Sequence, residues 1–168
     1  GSIDRIKNVA KIIISYIKKR LRVVVVSSAM SEETNKLIKL TKELSKNFTP
    51  SEYDSLLATG EQVSCSLIAG RLNDRGYLAR SWQSWQIPII TTGKHSHSRI
   101  ININKNNIIK FLKKGGIPII TGFQGINSEN RITTTGRGGS DATAIMIAKF
   151  LKAEKCIIYT DVDGVYTT

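Results

Sequence analysis

The first twenty residues carry apolar and charged side chains in an alternating pattern. The apolar positions recur at steps of three and four residues, at Ile3, Ile6, Val9, Ile13 and Ile17. That spacing puts the apolar side chains on one face of a helix and the charged ones on the other. The pattern predicts an amphipathic helix, and Ser2 is suited to cap its first turn.

Four consecutive valines at residues 23–26 predict a strand. A continuous β-branched run is typical of a strand buried on both faces, as in parallel sheets that helices cover. Further strand patterns follow at residues 77–82, 101–104, 117–121 and 156–159. A hairpin that turns at residues 128–130 is expected within residues 126–134.

Helical patterns lie between these strands, at residues 34–45, 50–72, 106–112 and 140–152. Thr59-Gly60-Glu61 interrupts the second of them, and residues 83–98 have an irregular pattern. Strands that alternate with helices predict an α/β fold. We therefore expect a three-layer α/β/α architecture with a mainly parallel central sheet.

Composition narrows the class of protein. Apolar residues make up 40% of the chain, and no apolar run approaches the roughly 20 residues that span a bilayer. The two cysteines, Cys65 and Cys156, lie in apolar stretches, which predicts buried, reduced thiols in a cytoplasmic protein. The net charge of +12 suggests nucleic acid, but the basic residues are spread along helices without interleaved aromatics. A solvated basic surface is the preferred interpretation.

Three junctions that follow predicted strands are rich in small and polar residues. They are residues 27–35 (SSAMSEETN), 133–144 (TTTGRGGSDATA) and 160–168 (TDVDGVYTT). In open α/β sheets, ligands bind beyond the carboxyl ends of the strands. We expect the chemistry of this protein at these junctions.

The second junction has the composition of an anion site. Its glycines let the backbone approach a ligand closely, and the helix behind them offers free N–H groups. Arg137 can bind a carboxylate or phosphate through two parallel hydrogen bonds. The alternative is a tight turn in which Ser140 and Asp141 only cap the helix. The spacing matches neither a P-loop nor a dinucleotide fingerprint.

These junctions, read together, resemble the amino-acid kinase family, and specifically its aspartate kinases. The resemblance runs through SIDRIKNVAKII, VVVVSSAMSEETN, LLATGEQVS, GFQG, TTTGRGGSDATA and TDVDGVYTT. The last is shared widely among relatives, whereas TGEQ and GRGGSD are specific. The resemblance implies that residues 1–168 are a partial amino-acid kinase domain, incomplete at both ends and without a regulatory domain.

The resemblance also implies roles for single residues. The positions that match those holding the substrate L-aspartate are Thr34, Glu61, Arg137, Gly138, Gly139 and Ser140. Arg137 suits a carboxylate and Glu61 suits the ammonium group, although a glutamate at a helix start is also favoured by the helix dipole alone. Asp141 matches the catalytic aspartate that organises the cationic groups.

The implied cofactor is ATP, with Mg²⁺ bound to the nucleotide. Thr160, Asp161 and Tyr166 match the nucleotide-binding segment. The implied reaction transfers the γ-phosphoryl group to the side-chain carboxylate of L-aspartate, which is the first step of lysine, threonine and methionine biosynthesis. A carboxylate is already a nucleophile, so positioning and charge neutralisation carry the catalysis. His95 and His97 alone do not suggest a metal site.

The chain departs from the family's pattern in several places. The family begins with a strand carrying K-F-G-G-T-S, whose lysine neutralises phosphate, and it continues past Thr168 with D-P-R. We therefore expect little kinase activity from these 168 residues and homo-oligomerisation through the open edge of residues 23–26. Ser84 replaces a usual glycine, and residues 31–34 are more acidic than usual.

Three alternatives remain open. The chain could be a non-catalytic remnant that binds nucleotide or a partner, another amino-acid kinase, or, as the weakest alternative, a nucleic-acid-binding module. The expected partners are L-aspartate and MgATP, with no nucleic acid and no membrane.

Overall fold

The computed structural model describes residues 3–159, so the capping role predicted for Ser2 lies outside the described residues. The helices are α1 Ile3–Lys18, α2 Glu33–Leu44, α3 Pro50–Leu57, α4 Thr59–Asp74, α5 Asn106–Lys113 and α6 Gly139–Leu151. The strands are β1 Val25–Ser27, β2 Ala79–Trp82, β3 Ile89–Thr91, β4 Ile100–Ile103, β5 Ile117–Thr121, β6 Gln124–Ile126 and β7 Ile132–Thr134.

A three-stranded parallel sheet lies at the centre, in the order β1-β5-β2. Val25 pairs with Ile119 and Ala79 with Ile117, so the carboxyl ends of all three strands point the same way. Every residue of β5 is buried. The valine run predicted to be a strand buried on both faces forms β1, which begins only at Val25 and is half-buried because it lies at the sheet edge, whereas β5 has the fully buried central position.

Helices cover both faces of this sheet. Helix α4 packs on β2 and β5 with α1 behind it, while α5 contacts β5 and α6 contacts β1 on the other side. Ile117 and Ile119 belong to the apolar cluster of the first face, whereas Ile120 belongs to the cluster of the second. Burial of both faces drives this arrangement. The predicted three-layer α/β/α architecture with a parallel sheet is confirmed.

A second, mixed sheet in the order β4-β3-β6-β7 extends the structure. Strands β6 and β7 form the antiparallel hairpin that the sequence predicted, and β3 pairs in parallel with β6. A Cβ atom on Gly125 would lie 2.6 Å from the Ile89 carbonyl oxygen, so only glycine permits this approach of β6 to β3. Strand β3 lies in a segment whose sequence has an irregular pattern. Ser84, which precedes it, is fully buried in the turn before β3.

Two expectations about the end of the chain are wrong. Residues 156–159 form no strand, and Ile157 and Ile158 are 46% and 43% exposed. An apolar run becomes a strand only when another strand pairs with it, and these residues pair with none in the described part of the chain. Cys156 is exposed as a consequence, whereas Cys65 is buried as predicted.

None of the helices within residues 3–159 combines the length and the hydrophobicity needed to cross a membrane.

Candidate active site

The carboxyl ends of β1 and β5 meet at one edge of the parallel sheet. The amide of Gly122, directly after β5, donates a hydrogen bond to the carbonyl of Ser27 at the end of β1 (3.0 Å). The segments that follow the two strands therefore leave the sheet side by side. This is the edge at which open α/β sheets bind ligands.

The start of α6 is held against the end of β5 by close glycine contacts. A Cβ atom on Gly122 would lie 2.9 Å from the Cα of Ser140, and one on Gly139 would lie 3.2 Å from the Cα of Phe123. Phe123 has φ +66°, a left-handed conformation that costs free energy for a non-glycine residue. Its amide donates to Thr143 Oγ1 (3.2 Å). The GFQG segment thus holds α6 at the sheet edge.

The glycine–arginine turn enters α6 directly. Gly136 and Gly138 have φ +78° and +72°, and the Gly139 amide donates to the Gly136 carbonyl (3.0 Å). Gly138 occupies the N-cap position, and no side chain caps the helix. The Gly139 N–H group is therefore occupied, whereas the next two, of Ser140 and Asp141, have no acceptor within residues 3–159 and remain available to an anion. This weighs against the simple capping interpretation of Ser140.

Arg137 and Asp141 flank this helix start, and both are exposed. Asp141 lies in the first turn of α6, where the helix dipole stabilises a carboxylate. Because neighbouring side chains do not enclose Arg137, the backbone of the turn determines where its guanidinium can reach.

Glu61 lies at the start of α4, and α4 packs against the loop that follows β1. A Cβ atom on Gly60 would lie 2.9 Å from the Cβ of Ala29, so the glycine of the TGE motif permits this contact. The hydroxyl of Ser64 donates to the Ser28 carbonyl (2.6 Å). The loop in turn leaves the sheet beside Gly122, which contacts Ser140. Glu61 and the helix start at Ser140 are therefore joined through a short chain of contacts.

The carboxylate of Glu61 is buried and only half satisfied. The side chain is 3% exposed, and its Oε1 accepts a hydrogen bond from the Ala29 amide (3.0 Å). Its Oε2 has no hydrogen-bond partner within residues 3–159. Burial raises the pKa of Glu61 to about 7, and the hydrogen bond from Ala29 opposes that shift only in part. A buried carboxylate oxygen without a donor is suited to a cationic ligand.

Thr34 is half-buried in the first turn of α2, which follows the same loop. No hydrogen bond in the described part of the chain joins it to Glu61 or Ser140. The acidic residues beside it interact locally, since Glu32 accepts from the Asn35 side chain and Glu33 pairs with Lys36. The unusual acidity of this loop is thus partly neutralised at the surface.

The predicted nucleotide residues Thr160, Asp161 and Tyr166 lie outside the described residues. Within residues 3–159, no group of three or more histidine, cysteine, aspartate or glutamate side chains could hold a metal ion.

Sequence reasoning missed Phe123 and Gln124 in this region. Gln124 is fully buried, and its side-chain amide donates to the Ala58 carbonyl (2.9 Å), directly before the TGE motif. In the sequence, GFQG (residues 122–125) contributes only to the family resemblance. A left-handed phenylalanine and a buried glutamine have no periodic signature, so only the structure reveals them.

A family profile described as the amino acid kinase family matches residues 1–168. The chain belongs to the amino-acid kinase family. Aspartokinases of Geobacillus stearothermophilus and Bacillus sp. (strain MGA3) are 49% and 50% identical over 168 residues. The chain spans 41% of the length of each of these relatives, and they cover all of it.

Solved structures agree with this family assignment. The aspartate kinase from Synechocystis superposes with a TM-score of 0.81 at 39% identity, over 96% of this chain and 26% of that one. E. coli aspartokinase III in complex with aspartate and ADP has a TM-score of 0.67 at 28% identity, over 98% of this chain and 37% of that one. The amino-acid kinase fold implied by the sequence resemblance is confirmed.

Proposed function

We propose that this chain is catalytic-domain sequence of an aspartate kinase, which transfers the γ-phosphoryl group of ATP to the side-chain carboxylate of L-aspartate. The product is 4-phospho-aspartate, the first intermediate of lysine, threonine and methionine biosynthesis. The observation that carries the proposal is the buried Glu61 carboxylate, one oxygen of which has no hydrogen-bond partner within residues 3–159, linked to the start of α6 through the loop after β1. The similarity to aspartokinases supports it.

Each residue of the proposed site binds a different group of L-aspartate. Glu61 Oε2 accepts a hydrogen bond from the ammonium group of L-aspartate, and this new donor satisfies a buried acceptor. Arg137 binds a carboxylate, and its planar guanidinium suits a two-point contact. The N–H group at Gly138, the close backbone approach at Gly139 and the hydroxyls of Ser140 and Thr34 orient the remaining oxygens.

Phosphoryl transfer then depends on position and charge. The substrate carboxylate attacks in line, and the N–H groups at the head of α6 stabilise negative charge that develops on the transferring group. Asp141 organises the cationic groups at this helix start. Thr160, Asp161 and Tyr166 bind the nucleotide. Mg²⁺ bound with ATP would neutralise charge on the phosphates.

The proposal extends to assembly and location. Strand β1 lies at an edge of the three-stranded sheet in the described residues, and open edges promote pairing with another chain. We therefore propose a homo-oligomer.

Free thiols at Cys65 and Cys156 suit a reducing compartment, so we place the protein in the cytoplasm.

Nucleic acid is not part of the proposed function, although basic side chains line a surface depression between α1 and α4. They are Lys7, Lys11, Lys18, Arg71 and Arg75. Asp4 and Asp74 pair with two of them. DNA retention that falls steeply with salt concentration would overturn this part of the proposal.

Calorimetry with L-aspartate and with succinate tests the proposed site. Succinate carries the same two carboxylates but no ammonium group, so it cannot satisfy Glu61. We expect binding of L-aspartate and at least tenfold weaker binding of succinate, on the scale of one lost charge-assisted hydrogen bond (about 1.5–3 kcal/mol). Equal affinity for the two, or no binding of L-aspartate, would contradict the proposal.

Hydroxylamine trapping tests the chemistry itself. An acyl phosphate formed from L-aspartate and MgATP reacts with hydroxylamine to a hydroxamate, which is detected by colour or mass. Hydroxamate formation that requires both substrates supports the kinase. Because little kinase activity is expected from these 168 residues, a trace of hydroxamate is sufficient support. Binding of both ligands with no hydroxamate at all would favour the non-catalytic alternative for these residues.

A further inference from the structure

Asp54 on α3 has a buried carboxylate surrounded by hydrogen-bond donors. Its side chain is 0% exposed. The Thr134 amide and hydroxyl donate to it (3.0 and 2.7 Å), and so do the Ser96 amide and hydroxyl (2.9 and 3.1 Å). The Nδ1 atom of His95 lies 2.9 Å from Oδ2. One side chain therefore holds two segments that are distant in sequence.

Both of these segments lie against the glycine–arginine turn. Thr134 is the last residue of β7, and Gly136 follows two positions later. A Cβ atom on Gly136 would lie 3.1 Å from the Ser96 carbonyl oxygen and 3.3 Å from His97 Nδ1. The Ser98 amide also donates to the Thr134 carbonyl (2.9 Å). Residues that Asp54 holds therefore lie on both sides of Gly136, one close in space and one close in sequence.

We propose that Asp54 is a positioning residue that aims Arg137 at the substrate carboxylate by fixing Thr134 and Ser96 on either side of Gly136. The inference rests on the proposed function, since it assumes that Arg137 binds L-aspartate.

Two physical arguments favour this role over simple fold stabilisation. A turn with two glycines at positive φ has much conformational freedom, so its geometry must be imposed by its flanks. Arg137 is exposed and receives no such constraint from its own surroundings. In addition, a buried carboxylate is costly unless several donors converge on it, and an apolar side chain could join α3 to the sheet at lower cost.

The test is a double-mutant cycle between Asp54→Asn and Arg137→Ala, read out as L-aspartate affinity by calorimetry. Asp54→Asn keeps the side-chain shape but turns an acceptor into a donor that faces donors. We expect at least about tenfold weaker L-aspartate binding, on the scale of a lost hydrogen bond to a charged group. In the Arg137→Ala variant, the same substitution should change the affinity less than about twofold, because the guanidinium that Asp54 positions is no longer there.

Asp74→Asn is the matched control. Asp74 is exposed at the end of α4, and within residues 3–159 its side chain hydrogen-bonds only to Arg71. It should leave L-aspartate affinity unchanged. If Asp54→Asn does not fold, Thr134→Val replaces it in the cycle, since it removes one hydrogen bond to Asp54 and preserves shape. Affinity equal to wild type in a folded variant, or full additivity with Arg137→Ala, would overturn the proposal.

Hydrogen exchange separates this proposal from the proposed function. If the wild-type chain binds no L-aspartate, the proposed function fails. The fixing of the turn by Asp54 is then judged by amide exchange, which should be faster across residues 134–140 in Asp54→Asn than in Asp74→Asn. Equal exchange in the two variants would refute it.

Discussion

Two buried carboxylates, seven residues apart, differ in how their oxygens are satisfied. Asp54 accepts hydrogen bonds from Thr134 and Ser96 on both oxygens and lies against His95. Glu61 receives one hydrogen bond on Oε1, and its Oε2 has none within the described residues. The saturated carboxylate has no capacity left for a ligand and acts only through the segments that it joins. The Glu61 carboxylate, with one oxygen unpaired, can still bind a cationic ligand.

The largest expected effect concerns the saturated carboxylate. Asp54→Asn should lower the free energy of unfolding by about 3–5 kcal/mol, because it leaves buried donors facing an amide. Glu61→Gln should not lower it at neutral pH, since it removes a carboxylate that is costly to bury. Urea unfolding of both variants measures the difference. Equal losses of unfolding free energy would mean that Asp54 and Glu61 contribute to stability in the same way, contrary to their different hydrogen bonding.

The next effect is the pH dependence of stability contributed by Glu61. Its pKa rises from the ordinary 4.5 to about 7 on folding, so the folded state holds the proton more tightly than the unfolded state. The contribution of Glu61 to the free energy of unfolding is therefore complete below pH 4.5. It is lost as the pH rises to about 7, by about 3 kcal/mol in total. Urea titrations between pH 4.5 and 7.5 should show this fall in the wild type and a flatter profile in Glu61→Gln. Identical profiles would refute the assignment.

Ligand binding should depend on the same oxygen. Glu61→Gln should weaken L-aspartate binding by about 2–3 kcal/mol, because an amide cannot replace the charge-assisted contact to the ammonium group. Glu129→Gln, at an exposed position in the β6–β7 turn, is the matched control and should leave affinity unchanged. Succinate binding, already weak, should hardly change. A parallel loss for both ligands would point to a distorted site instead.

The smallest effect is expected at the exposed end of the site. Arg137→Ala should weaken L-aspartate binding by about 1.5 kcal/mol and leave the free energy of unfolding within about 0.5 kcal/mol of the wild type. Calorimetry and urea unfolding give the two numbers. A large loss of stability would show that Arg137 holds the fold, contrary to its exposure.

Much of the fold could be predicted because its signals are local. The spacing of apolar residues in α1 reflects one buried face, and the continuous apolar run of β5 reflects two. Residues 156–159 have the same kind of apolar run but form no strand, because pairing is a property of neighbours and not of the segment.

The site was predictable only in part, for a related reason. The positions of Glu61 and Arg137 came from motifs, which record residue type and spacing. The free oxygen of Glu61 and the donors around Asp54 depend on contacts between segments up to 80 residues apart, as between Asp54 and Thr134. Nothing in the local sequence shows which oxygens of these two carboxylates have hydrogen-bond donors.

The most direct test of this account is an NMR titration of the Glu61 side-chain carboxyl carbon, assigned by comparison with Glu61→Gln. Without ligand, its pKa should be about 7. With saturating L-aspartate, the ammonium group should favour the ionised form, and the pKa should fall by at least about one unit. Succinate should produce no such fall. A pKa near 4.5 that L-aspartate does not change would contradict the claim that Glu61 holds an empty place for the substrate's ammonium group.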